Sequence, residues 1–251
     1  MKKLLLASVF AAAPLLGMAP EAAAQPVANW TGFYVGANLG VGRQTGTADY
    51  TQVSAWEGYS GNSSVDPNNI IATFGLQAGY NYQVNRFVMG GEVDYLVVMG
   101  GRPSATGGYV DSGSTFTANM GTRQAFSFRA RGGVDVGGVL LYGTMGLGLM
   151  QVRNSANSNA PDCWGPGGTI CGAKGGGFTN NSWTTAFVIG GGAEAMITPR
   201  LAVRMQVLYY MAGSNSGVAN SSYYNWYGAN PSVRYTDQNL LVGQVGLSYR
   251  F

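Results

Sequence analysis

Glu92 and Asp94 stand two residues apart, and so do Arg129 and Arg131. In an extended chain that spacing puts both members of each pair on one face. Glu194, Arg204 and Arg250 alternate with small or apolar neighbours in the same way. Such charges are scarce here: Asp, Glu, Lys and Arg make up 10 % of the chain, against about 25 % in an ordinary soluble domain. There is no histidine, which removes Ser-His-Asp and Cys-His hydrolases, His-ligated zinc and His-ligated haem. We therefore expect a non-enzyme with no catalytic or metal site. Charges gathered on one face of strands then have two uses. They line an ion-conducting or gated lumen, or they pair into a polar plug that holds a barrel shut. We favour the plug and keep conduction as the alternative.

Cys163 and Cys171 are the two cysteines. In an exported chain, so close a pair predicts a disulfide that staples one loop, worth about 2–3 kcal/mol by chain entropy. Two thiols without histidine cannot close a zinc shell. Export itself is read from the N-terminus. Lys2 and Lys3 precede an apolar stretch over 4–19, and Ala22-Ala23-Ala24 supplies a small-x-small pattern before Gln25. This predicts a signal peptide over 1–24, cut between Ala24 and Gln25, with one domain over 25–251. A formal net charge of +3, spread along the chain, is no nucleic-acid footprint.

The charges need elements to carry them. Hydrophobic residues make up 46 % of the chain, yet beyond the leader no apolar run is long enough for a spanning helix. Instead, apolar and small or polar residues alternate over 33–41, 74–82, 87–97, 126–134, 141–149, 187–193, 201–209 and 241–251. Each segment suits a tilted membrane strand of about 9–11 residues. Links near 45–71, 100–121, 153–181 and 212–236 are long, whereas those at 84–86, 135–138 and around Pro199 are short. The pattern predicts an all-β fold: an eight-stranded antiparallel up-and-down transmembrane β-barrel with four long extracellular loops and short periplasmic turns. In this register Glu92, Asp94, Arg129, Arg131, Glu194, Arg204 and Arg250 face inward, because a charge facing lipid at midplane costs about 2–4 kcal/mol. Many of the 40 glycines, Gly79, Gly146 and Gly246 among them, fall on the inward face and leave room in a narrow bore. Phe33, Tyr82, Phe87, Tyr249 and Phe251 form an aromatic girdle at the turn end. Tyr223-Tyr-Asn-Trp-Tyr227 forms either a ligand surface or, as we prefer, a hairpin standing beyond the membrane.

Trp30-Thr-Gly-Phe-Tyr-Val-Gly-Ala-Asn-Leu-Gly40, Gly79-Tyr-Asn-Tyr-Gln83 with Gly90-Gly-Glu-Val-Asp94, and Arg129-Ala-Arg131 with Leu141-Tyr-Gly-Thr144 carry a family resemblance. The stretch from Gly190 to Tyr210 and the ending Val245-Gly-Leu-Ser-Tyr-Arg-Phe251 share it. The chain resembles the small outer-membrane β-barrels of the porin/opacity superfamily, and within them the alphaproteobacterial surface-antigen and haemin-binding branch. The likeness covers the strands and not the long loops. Gln206 departs from it, since relatives commonly carry Glu there. The resemblance implies an integral outer-membrane surface antigen, with haemin as a ligand of some members, or small-solute passage as another use. The C-terminal strand, with Tyr249 and a terminal Phe251, resembles the signal read by the barrel-assembly machinery. Lipid and that machinery are thus the expected partners, with a host factor or haemin at the loops.

Overall fold

The computed structural model describes residues 29–53, 60–65, 69–100, 104–108, 115–164, 170–218 and 232–251. The expected signal peptide with its Ala24–Gln25 junction, and the Tyr223–Tyr227 cluster, lie outside them. The described chain is almost wholly extended, as its β-branched and aromatic residues favour. Its strands are β1 (Gly32–Val53), β2 (Ser60–Val65), β3 (Asn69–Val84), β4 (Phe87–Met99), β5 (Ser104–Gly108) and β6 (Thr115–Val136). Then follow β7 (Val139–Trp164), β8 (Ile170–Met196), β9 (Leu201–Ala212), β10 (Asn215–Val218) and β11 (Ser232–Arg250).

All belong to one antiparallel sheet that closes on itself. The ladder passes from β1 through β3, β4, β6, β7, β8 and β9 to β11, and β11 returns to β1 from Tyr34↔Arg250 to Thr51↔Ser232. Where the eight ring strands pair, closure gives each a neighbour on both sides and leaves no open edge. The short strands β2, β5 and β10 attach to the far stretches of β1, β6 and β11.

Two expectations need correction. Eight strands joined by four long extracellular loops and short turns were expected; the described sheet has eleven strands, because the described parts of the long links are themselves largely paired. Crossing a bilayer takes about 9–11 residues per strand, whereas β7 has 26 and β8 has 27. Their outer halves are rich in Ser, Asn and Gly and carry little hydrophobic pattern of their own. They stay extended because a register already fixed lower down continues outward. The second correction concerns the cysteines. No disulfide joins Cys163 and Cys171; they are backbone partners near the tip of the β7–β8 hairpin. Ladder pairing from Val139↔Ala195 to Trp164↔Ile170 already closes this hairpin, which is the task the disulfide was expected to perform.

At the other end the turns are tight. Val136 and Val139 flank Gly137 (φ +62°) and Gly138 (φ +86°), the left-handed pair that a two-residue hairpin turn requires. The Gly138 N–H also donates to Asp135 Oδ1 at 3.0 Å. The start of β1 and the C-terminal Phe251 meet at this turn end, where the Phe251 N–H donates to the Phe33 carbonyl at 3.1 Å.

The ring is inverted relative to a soluble protein. Phe33, Leu39, Leu147 and Phe251 are exposed on the outside, while Asn38, Gln77, Arg204 and Ser248 are buried inside. Glycine makes the inside fit. A Cβ on inward-facing Gly146 would collide with the Phe128 carbonyl and lie 2.7 Å from Arg129 Cα, whereas a Cβ on outward-facing Gly132 would meet nothing within 4 Å. Gly146→Ala is therefore expected to lower stability by about 1–3 kcal/mol. Gly132→Ala should stay within about 0.5 kcal/mol of the parent. Urea unfolding of protein refolded into lipid vesicles measures both, and equal losses would contradict a close-packed interior.

Candidate functional site

The β ladder itself assembles the charged cluster. Glu92 and Asp94 come from β4, Arg129 and Arg131 from β6, Glu194 from β8, Arg204 from β9 and Arg250 from β11. The register places Glu92 opposite Arg129, Glu194 opposite Arg204, and Tyr34 opposite Arg250. All seven charged residues are at most 4 % exposed. A buried charge needs a partner, and the partners are found in two ways.

Some are neighbours in the wall. Arg129 reaches Glu92 at 2.5 Å and Asp94 at 3.8 Å. Others cross the bore. Arg204 on β9 meets Glu92 on β4 at 2.5 Å, linking strands on opposite sides of the ring. Arg131 joins Glu194 at 3.0 Å and Glu92 at 3.6 Å. The Tyr210 hydroxyl on β9 likewise donates across to Asp94 at 3.2 Å. Only a bore about as wide as its side chains allows such contacts.

Four guanidiniums meet three carboxylates among these described residues, and neutral oxygens take some of the surplus donors, while Arg129 Nη1 and Arg204 Nη1 are buried without a hydrogen-bond partner. Arg131 Nη1 donates to the Tyr34 hydroxyl at 2.9 Å, and that hydroxyl in turn donates to Glu92 Oε2 at 2.6 Å. Arg204 Nε donates to the Tyr142 hydroxyl at 2.8 Å, while the Arg131 guanidinium lies over the Tyr142 ring at 3.9 Å. Ser248 Oγ donates to Glu194 at 2.5 Å, and Arg250 Nη2 donates to the Trp30 carbonyl. Gln206, where the resemblance expects an acid, accepts from Tyr142 at 3.2 Å and donates to Gln244 at 2.7 Å. A neutral amide belt thus replaces an ion pair at that level.

The cluster is sandwiched. Read from the turn end, the inward face of β9 runs Arg204, Gln206, Leu208, Tyr210, and that of β11 runs Arg250, Ser248, Gln244, Val242, Leu240. Beyond the charges, Leu96, Met150, Val188, Leu208, Leu240 and Val242 form a buried apolar layer. At the turn end Trp30, Val88, Leu140 and Tyr142 form another. Trp30 is fully buried, its backbone N–H donating to Gln83 Oε1 at 2.6 Å and its ring 4.8 Å from the Arg250 guanidinium. Neither layer was foreseen from sequence. For the upper one the signal was present, in runs such as Leu240-Leu241-Val242 that are apolar on both faces.

No group of three potential metal ligands exists among the described residues. A concavity of about 790 Å³ lies outside the wall, between Phe33, Tyr80, Gly91, Phe128, Ala130 and Phe251. Tyr249 and Phe251 are exposed on that outside, their rings edge-to-face at 5.4 Å.

The chain is similar to known proteins to different degrees. The 31 kDa outer-membrane immunogenic protein of Brucella melitensis is 26 % identical over 241 residues, 93 % of this chain and 88 % of that protein. The outer membrane protein OprG of Pseudomonas aeruginosa is similar at a TM-score of 0.44 and 11 % identity, over 89 % of this chain and 97 % of that one. The outer membrane protease OmpT of Escherichia coli is similar at a TM-score of 0.42 and 12 % identity, over 87 % of this chain and 97 % of that one. The family model for the outer membrane protein beta-barrel domain matches residues 8–251. With its closed sheet, apolar exterior and buried polar lumen, the chain belongs to that family and is a surface-exposed β-barrel of the outer membrane, related to the Brucella surface antigen.

Proposed function

We propose that the eight strands of the closed ring cross the outer membrane and that the protein serves there as a permanently shut, structural surface element. The short turns face the periplasm, and the long hairpins with β2, β5 and β10 stand outside as the antigenic face. Residues 1–24 are removed on export. The observation that carries this reading is the Arg204–Glu92 pair spanning the bore with an apolar layer on each side of it. An ion entering the lumen would have to break charge pairs and also cross two dry zones. Haemin handling, implied for some relatives by the resemblance, is on this reading confined to the external ends, because the described lumen offers no slot for a flat ring. Catalysis is not part of the proposal.

Planar-bilayer recording tests the shut lumen: wild-type protein should give no steady unitary current, and regular ohmic steps would contradict the proposal. Glu92→Gln should remain non-conducting yet lose about 3–5 kcal/mol, because it takes a carboxylate from three buried guanidiniums and breaks the ion pair of Arg204.

The assembly role of the last strand rests on β11 having to meet β1 before the ring can close. Phe251→Ala should reduce the inserted fraction several-fold in cells, with protein accumulating in the periplasm, while refolding normally into detergent micelles. Equal outer-membrane yields for variant and parent would leave Phe251 as a girdle residue alone.

A further inference from the structure

Near the end of β4 the described pairing on that side of β6 is interrupted. β4 and β6 pair only as far as Val97↔Gln124, and β6 next meets a described neighbour at Asn119, opposite Ser104 of β5. Between those points the β6–β7 register skips from Thr122 to Gln124, so Arg123 is the extra residue of a bulge. Bulges of this kind re-aim a side chain and interrupt pairing.

A cavity of about 180 Å³ lies there. Its buried side is Gln44 and Thr122, which satisfy each other through two hydrogen bonds of 3.1 Å. Gly100, Gly121, Arg123 and Arg153 line the rest. Arg153 Nε is buried without a hydrogen-bond partner, and neither arginine has a carboxylate partner among the described residues. The adjoining stretches 95–100, 115–124, 149–157 and 179–187 contain no Asp or Glu, and Arg123 and Arg153 are their only charged residues. The cavity is thus a small, positively charged recess.

Its height on the barrel follows from its neighbours. Trp183 lies opposite Gln151, two residues before Arg153 on β7, and is exposed on the outer wall. Tyr95, also exposed, donates its hydroxyl to Gln124 at 2.6 Å, next to Arg123. Toward the turn end the outward residues on these strands become apolar: Phe126, Phe128, Leu147, Leu149 and Phe187. Tyr and Trp between an apolar band and a polar extension mark the headgroup level of a bilayer. The two guanidiniums therefore stand just beyond the hydrocarbon, on the loop side.

We infer that the gap between β4 and β6 binds a phosphate group of the outer-leaflet glycolipid, lipopolysaccharide, through Arg123 and Arg153. Guanidinium recognises phosphate by paired, charge-assisted N–H···O bonds. In the outer leaflet the phosphate groups of that glycolipid lie at this depth. The inference rests on the proposed orientation, with the hairpins outside the cell. Orientation is checked separately by labelling the thiols Cys163 and Cys171 on intact cells with a membrane-impermeant maleimide; no labelling would refute the orientation, and this assignment with it.

The site itself is tested on full-length protein in detergent micelles, titrated with diphosphorylated lipid A, dephosphorylated lipid A and inorganic phosphate. Wild type should bind the diphosphorylated form about tenfold more tightly than the dephosphorylated form. Arg123→Ala/Arg153→Ala should lose that preference and keep its heat-dependent gel mobility, which reports an intact barrel. Arg123→Lys/Arg153→Lys should retain part of the preference. Equal affinity of wild type for the two lipids, or an undiminished preference in the Ala variant, would overturn the assignment. Inorganic phosphate competing as strongly as the phosphorylated lipid would give the recess to the free ion and overturn it as a lipid site.

Discussion

The pairing of β11 with β1 is the constraint from which the rest of the molecule follows. In hydrocarbon no water is present to satisfy a free N–H or C=O, so a sheet there must close. From Tyr34↔Arg250 outward this ladder joins the two ends of the chain, and closure at this ring size fixes the bore. The bore then dictates composition. Some inward positions must be glycine, as at Gly146, where any side chain would strike the β6 backbone. Others must carry groups that can meet partners across the lumen.

Within so narrow a bore the charges act less as a source of stability than as a register device. A buried ion pair recovers little net free energy against a well-packed apolar substitute, yet losing one partner is severe. Glu92 holds Arg129, Arg131 and Arg204, drawn from β6 and β9. A slip of one residue in either strand would turn its arginine outward toward lipid. The network thereby ties the correct pairing of distant strands to the avoidance of a stranded charge. The apolar layers on both sides lower the local dielectric, which strengthens the pairing and raises the penalty for disrupting it.

Much of this was legible in sequence. Alternation over 33–41, 87–97 and 241–251 placed Phe33, Tyr95 and Leu247 outside and Asn38, Glu92 and Gln244 inside, because one face of each strand is lipid and the other is a small polar space. Which charge meets which was not legible. Arg204 lies opposite Glu194 in the ladder but pairs with Glu92 across the bore, a contact that depends on curvature. The extended arms were missed because the outer parts of β7 and β8 inherit their register and lack a hydrophobic pattern. The upper apolar layer was missed for the opposite reason: at Leu240-Leu241-Val242 both faces are apolar, so period two disappears. Cys163 and Cys171 were close enough in sequence to suggest a covalent staple, but backbone pairing already holds that hairpin closed.

The central claim is that charges from opposite walls bind each other through the middle of the barrel. A double-mutant cycle on Glu92→Gln and Arg204→Met, read by reversible urea unfolding in lipid vesicles, measures that contact most directly. The account predicts a coupling free energy of about 1–3 kcal/mol between the two positions. Additive losses, with coupling near zero, would mean that the walls do not meet and that the lumen is not plugged by this pair.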